Sequence, residues 1–234
     1  MVILLLITLL TLPSPPLFAH QGGEIKSLRE EAESYLPQNY RVINTQATGS
    51  LSGIVRVLGG GPVKEALVYL KDVSQGKDFS VAGPLVLDQK DKIFVPRVLV
   101  VPVGSTVELR NSDSEMHNLH SSAIKNPSFN EGIPEGGTSL FKKFELVEVV
   151  RLGCDIHKEM RAWIVVRDNP YYALTGEDGH FNITGVPPGT YKLLIWHEDL
   201  DKKERTSLTT EITVEPNATL EVDFYLTPKE QGFD

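Results

Sequence analysis

The chain has one cysteine in 234 residues, Cys154, so no disulfide can form within it. It has no GxxxxGK[ST] phosphate loop, no HExxH pair and no GxSxG elbow, which removes the commonest nucleotide, zinc-protease and serine-hydrolase signatures. Basic residues are outnumbered, 23 Lys and Arg against 31 Asp and Glu, giving a formal net charge of -8. That balance argues against a nucleic-acid partner. Charge is missing altogether from the first 19 residues. Beyond residue 46, no amphipathic helical pattern of ten or more residues interrupts the chain.

The uncharged start, apolar over 2–12 and followed by Pro13, Pro15 and Pro16, reads as a secretory signal over 1–19. It is shorter than the roughly 20 residues needed to span a bilayer, so the mature chain is expected to be exported, to the periplasm, with no membrane span. The missing Lys or Arg before the apolar run implies an atypical signal or a start further upstream. Residues 20–48 read as a leader, with a helical pattern over 24–36 carried by Ile25, Leu28, Ala32 and Leu36.

From Gly49 onward, short segments rich in Val, Ile, Leu, Thr and Tyr alternate with Gly and Pro turns, which predicts an all-β fold. Strands are expected over 51–58, 66–73, 93–101, 106–111, 140–146, 148–152 and 162–167. After Asp168-Asn169-Pro170 a second set follows, over 181–184, 191–197, 207–214 and 220–226, with a tail over 229–234. This suggests one sandwich over 49–168 and a smaller one over 169–228. About 60 residues is thin for an independent sandwich, so the hairpin of 49–73 is open to pairing with the second instead.

The chemistry concentrates in Cys154-Asp155-Ile156-His157-Lys158-Glu159-Met160 and, upstream, Met116-His117-Asn118-Leu119-His120. A thiolate, an imidazole and a thioether spaced CxxHxxM, joined by a distant His, make a His2Cys set with a weak axial Met, the donor set of copper. Structural zinc would close its tetrahedron with a stronger donor than a thioether. Outside the cytosol a bare thiol is exposed to oxidation, whereas a metal-bound thiolate is occupied. The plain alternatives are a buried apolar Cys154, a core Met160 with the axial place absent or filled by a backbone oxygen, and His120 as ligand instead of His117. His180 and His197 have no sulfur or carboxylate pattern around them and read as surface or interface residues, while His20, which cleavage after Ala19 would leave at the N-terminus, resembles an N-terminal amine-and-imidazole copper clamp that nothing else in the chain supports.

The run 94–113, with its aromatic-x-Pro strand, Gly104 turn, Asn111-Ser112-Asp113 corner and closing His117-Asn118, resembles the cupredoxin family. Cys154, His157 and Met160 match its ligand loop, with spacing closer to amicyanin than to plastocyanin or azurin. The resemblance covers 77–168 and implies a Greek-key sandwich holding one type 1 copper at His117, Cys154, His157 and Met160. It further implies that Asn118 ties the ligand segments together and that His157 is the electron port. Lys158 and Glu159 stand where relatives often carry Pro and an aromatic, which shifts expected recognition from apolar contact toward charge.

Residues 175–181 and 186–191 resemble carboxypeptidase-regulatory-like, prealbumin-type sandwiches. The combination is similar to exported bacterial methylamine utilisation proteins. Together these resemblances imply a non-enzymatic carrier of single electrons between a redox donor and acceptor, with the second sandwich docking a partner or surface component. A multicopper oxidase would need His-x-His pairs and a His flanking the Cys, and neither occurs. The competing readings are a copper-delivery protein and a surface carbohydrate- or protein-binding module with a vestigial site.

Overall fold

The computed structural model describes residues 40–81 and 83–227, all within the unit Tyr35–Asp234. The signal over 1–19, the helical pattern over 24–36, His20 and the tail over 229–234 lie outside the described residues. Among the described residues the regular structure is almost all strand, with one short helix. In order they are β1 (Arg41–Val42), β2 (Gly49–Val57), β3 (Leu67–Lys71), β4 (Gln75–Gly76), β5 (Val86–Lys90), β6 (Ile93–Val95), β7 (Val98–Pro102) and β8 (Ser105–Asn111). Then come β9 (His117–Ser121), β10 (Asn130–Ile133), β11 (Thr138–Phe144), β12 (Glu148–Gly153), β13 (Arg161–Arg167) and β14 (Tyr172–Leu174). The last are β15 (His180–Val186), β16 (Gly189–Trp196), the short helix α1 (Lys202–Ser207), β17 (Thr210–Val214), β18 (Thr219–Glu221) and β19 (Phe224–Leu226).

Two sandwiches result. In the inserted one, a sheet ordered β10-β9-β12-β13-β7 faces a sheet ordered β11-β8-β5-β6. In the split one, β14-β3-β16-β17 faces β15-β2-β18, with β19 also paired to β2. Residues 49–71, which the sequence leaves open to either sandwich, hydrogen-bond through β2 and β3 with the strands that follow residue 170. The inserted sandwich therefore leaves the split one after β3 and returns to it at β14.

Period-2 alternation sets each core. Val107 and Leu109 of β8, Leu119 of β9 and Val150 and Leu152 of β12 point inward in the inserted sandwich, while their neighbours are partly or fully exposed. Strand β13 differs, being buried on both faces. Ala162, Ile164 and Val166 enter the inserted core, whereas Trp163 and Val165 pack with Leu67, Val98 and Trp196 in a cluster shared with the split sandwich. A strand covered on both sides reads as an unbroken apolar run, as 162–166 does. The Trp163 and Trp196 rings lie 6.0 Å apart, and full burial of such side chains is worth about 1.5–3 kcal/mol each.

Polar ties lock the same junction. Arg97 donates from Nε to Glu65 Oε2 at 2.7 Å, pairs with Glu198 and lies over the Trp163 ring. Arg167, 6 % exposed, donates to the Leu70 carbonyl at 2.9 Å and stacks on Tyr69. Burial pushes its guanidinium pKa down, but a guanidinium remains charged at any ordinary pH.

The segment 93–101, expected as one strand, is two. Pro96 has no N–H to give a ladder, and the chain changes sheet there, β6 pairing with β5 and β7 with β13. The expected strand over 207–214 begins later, because Asp201 and Glu204 form a capping box that starts α1.

Gly53 illustrates how tightly the split sandwich closes. A Cβ there would sit 1.9 Å from the Val222 carbonyl oxygen, a backbone atom that cannot swing away. Gly53→Ala is expected to cost about 1–3 kcal/mol in denaturant unfolding as the C-terminal strands shift. An unchanged midpoint would show that this closure is loose.

Glu148 organises the loop between β9 and β10. Its carboxylate accepts N–H groups from Ile124 (2.6 Å), Lys125 (3.1 Å) and Asn126 (3.0 Å). Burial pushes the carboxyl up, but the backbone N–H groups of Asn126, Ile124 and Lys125 and the Asn126 amide outweigh it and hold the pKa below its ordinary value of 4.5. A depressed carboxylate contributes stability above its unfolded pKa and loses it as pH falls through the folded one. Glu148→Gln should therefore cost about 1–3 kcal/mol at neutral pH. That difference should shrink below pH 4.5, a trend that urea titrations across pH would test.

Candidate metal centre

Three elements bring the site together at one end of the inserted sandwich. His117 is the first residue of β9, Cys154 follows the last residue of β12, and Met160 precedes the first of β13. The connecting loop is tied closed by Cys154 N–H to the Met160 carbonyl at 3.3 Å and Met160 N–H to the His157 carbonyl at 3.0 Å. That closure returns His157 toward Cys154.

The His117 and His157 Nδ1 atoms are 3.0 Å apart, and Cys154 Sγ lies 3.9 Å from each. The three residues form a group able to hold a metal ion. A point about 2.1 Å from both nitrogens and about 2.3 Å from the sulfur exists just off the plane of this triangle, which are ordinary lengths for imidazole and thiolate bonds to such an ion. His117 is fully buried and Cys154 is 4 % exposed. Met160 is buried in the same apolar cluster as Cys154.

Surrounding groups aim these donors. His117 Nε2 lies 2.7 Å from Asp113 Oδ2. A carboxylate accepts only from N–H, so it holds the proton on Nε2 and leaves the Nδ1 lone pair facing the triangle. Asp113 in turn accepts N–H groups from Asp91 and Lys92. Burial pushes the Asp113 carboxyl up, while the Lys92 N–H, the His117 ring and the Asp91 N–H together hold it below the usual range.

Asn118 Oδ1 accepts the Asp155 N–H at 2.6 Å and the Cys154 thiol at 3.3 Å, bridging the two ligand segments. Its Nδ2 donates to Asn130 and to Asp155 Oδ2. Metal binding requires the thiolate, so the Cys154 proton leaves when an ion enters. The sequence flags Asn118 but gives Asp113 no role. The spacing of four between Asp113 and His117 was the available signal, visible only once residues 113–117 are known to fold back on each other.

Other expected positions lie elsewhere. His120 points outward, pairs with Asp155 Oδ1 at 3.1 Å and is outside the triangle. His180 is exposed, and His197 is buried beside the Trp196 junction, where burial lowers its pKa. Glu115 Oε2, which the sequence reading passes over, stands 3.6 Å from His157 Nε2 and is paired with Lys92.

No family model and no curated protein matches the sequence. Among solved structures, the chain is similar to the reduced Cu(I) form of a proline-to-glycine point mutant of amicyanin at 22 % identity, over 38 % of this chain and 87 % of that one, with a TM-score of 0.33. A purple cupredoxin from Nitrosopumilus maritimus matches at 23 % identity, 36 % and 99 % coverage and a TM-score of 0.31. A Cu-containing nitrite reductase from Thermus scotoductus matches at 23 % identity, 43 % and 26 % coverage and a TM-score of 0.35. At these scores the matches add nothing to what the site's own geometry says.

Proposed function

We propose that the inserted sandwich is a cupredoxin-type domain holding one type 1 copper, and that the protein carries single electrons between redox partners outside the cytoplasm. The observation that carries this reading is the triangle of two imidazole nitrogens and one thiol sulfur, held on separate elements and supported from behind by Asp113 and Asn118. Two nitrogens and a sulfur, with a buried thioether residue beside them, suit copper in both oxidation states better than zinc or a hard cation.

Copper, when bound, supplies a one-electron Cu(II)/Cu(I) couple. The protein's part is to keep the donors still. Asp113 fixes the tautomer and tilt of His117, Asn118 holds Cys154 against β9, and the closed 154–160 loop fixes His157, so little shell rearrangement accompanies transfer. Met160 would supply a weak thioether donor to the ion, and the His157 Nε2 edge would serve as the exit toward solvent. The split sandwich, read as prealbumin-type, would dock the carrier to a partner or surface component, and the uncharged first 19 residues would send the chain to the periplasm.

Loading the purified chain with Cu(II) should give an intense blue thiolate-to-copper charge-transfer band and a narrow copper hyperfine splitting in the paramagnetic spectrum. Cys154→Ser should abolish the band, and Met160→Ala should shift it while keeping the metal. A colourless, redox-inert Cu(II) complex would favour delivery or storage over electron transfer.

A further inference from the structure

The outer face of the five-stranded sheet carries a cleft of about 560 Å³ whose floor includes Cys154 and Met160. Register places His120, Gly153 and Arg161 in one row across β9, β12 and β13, and Arg151 lies two residues along β12 on the same face. Arg151, Lys158 and Arg161 line the cleft, all three are exposed, and none forms an ion pair with any described residue. One carboxylate, Asp155, is also present, occupied by His120, Asn118 and Asn130. Three cations against one carboxylate is a local excess of positive charge in a chain whose net charge is -8.

Gly153 keeps this cleft open. A Cβ at that position would meet only the Met160 carbonyl oxygen, at 3.7 Å, and its backbone is not in the left-handed region. Neither packing nor conformation requires glycine there. A side chain would simply fill the floor in front of Cys154.

The His157 side of the site shows no such excess: Glu115 stands 3.6 Å from His157 Nε2 and is itself paired with Lys92. A partner approaching over Cys154 thus meets cations that no carboxylate neutralises.

We propose that the cleft bounded by Arg151, Lys158 and Arg161 is the docking surface for a redox partner with a carboxylate-rich face. The inference rests on the electron-carrier reading for its purpose, but not for its charge. The cations are exposed and spread along a rim, with no buried donor converging on a point, which suits an extended acidic surface and not a small captured anion. Unpaired rim charges raise association rates through steering, with modest effect on lifetime. Weak, small interfaces are the norm in electron-transfer encounters.

The test has two arms. First, the metal-free full chain is titrated calorimetrically at low salt with a short poly-glutamate peptide and, separately, with inorganic phosphate. The peptide should bind saturably, and an Arg151→Gln/Lys158→Gln/Arg161→Gln variant should weaken it about tenfold or more. Gly153→Val, which keeps every charge, should weaken it as well. Peptide binding that survives the triple variant overturns the proposal, and phosphate binding as tight as the peptide's overturns it in favour of a small-anion pocket.

Second, the reduced copper-loaded chain is mixed with hexacyanoferrate(III), which takes one electron and becomes hexacyanoferrate(II), or with cationic tris(phenanthroline)cobalt(III), which becomes cobalt(II). The triple variant should slow the anionic oxidant about tenfold and leave the cationic one unslowed. Equal slowing of both reagents overturns the docking assignment. Failure of both reagents to oxidise the wild-type chain sinks the electron-carrier reading while leaving the peptide result to stand by itself.

Discussion

Copper should raise the unfolding free energy of the inserted sandwich by about 4 kcal/mol when free metal is a thousandfold above its dissociation constant, and Cys154→Ser should lose nearly all of that gain. The prediction follows from where the donors sit. His117, Cys154 and His157 come from β9 and from the loop between β12 and β13, so an ion holding all three joins segments 37 and 40 residues apart in sequence. Only the folded chain presents that triangle, and a ligand that binds the native state alone stabilises it by mass action. For a domain the size of Val86–Arg167, 1 kcal/mol moves the midpoint about 4–8 °C, so the shift should reach some tens of degrees. Without metal the same substitution should matter little, because a serine hydroxyl can still donate to Asn118 Oδ1 in place of the thiol. Scanning calorimetry of wild type and variant, each with and without Cu(II), separates the two contributions. Equal copper stabilisation of both proteins would mean that the ion sits elsewhere.

What the sequence discloses and what it conceals divide along a physical line. Strands whose apolar residues alternate with polar ones, such as β2 and β8, are legible within two residues of their ends. β5, β9 and β10 are not expected from sequence, because they are polar where a strand should be apolar. In β5, Gln89 is fully buried and donates to the Arg110 carbonyl. In β9, the sequence His117-Asn118-Leu119-His120-Ser121 has one aliphatic residue, and its buried His117 is satisfied by Asp113 and the site. Polar side chains become strand residues there because partners distant in sequence take up most of their hydrogen bonds, although Gln89 Oε1 and Asp88 Oδ1 find none among the described residues, and those partners cannot be counted in advance. The candidate site was more legible than the strand carrying it, since Cys, His and Met at fixed spacing point to one kind of chemistry wherever the backbone goes. Glu115 stayed hidden, and Asp113 was seen only as the end of the Asn111-Ser112-Asp113 corner, because a carboxylate acquires meaning only from the ring it faces. The division of strands between sandwiches was hidden for a different reason. β2 and β3 alternate in the same way whichever sheet they join, and only the pairing of β3 with β14 and β16 decides.

Asn111→Ala should cost about 3–5 kcal/mol and also loosen the metal, although Asn111 touches none of the donors. The side chain is fully buried at the end of β8. Its Nδ2 donates toward the carbonyls of Glu115 (2.9 Å), Ile133 (3.0 Å) and Pro134 (3.1 Å), and its Oδ1 accepts the Asp113 N–H at 3.0 Å. One amide thus fixes both ends of the segment that presents Asp113 to His117, and joins it to β10. Alanine leaves a cavity and several backbone groups without their partner, each such loss costing about 1–3 kcal/mol. The segment then has no reason to hold Asp113 within reach of His117 Nε2, and supports of this kind are typically worth about 10- to 100-fold in metal affinity. Asn111→Asp sharpens the test, being nearly the same size but placing a carboxylate oxygen against the three carbonyls. It should be at least as damaging at neutral pH and should recover partly under acid, where a protonated carboxyl regains one donor. Urea unfolding of the metal-free chain and competitive Cu(I) titration measure the two effects separately. A variant that loses stability but keeps wild-type copper affinity would show that His117 is aimed by β9 alone and that the Asn111 corner serves only the fold.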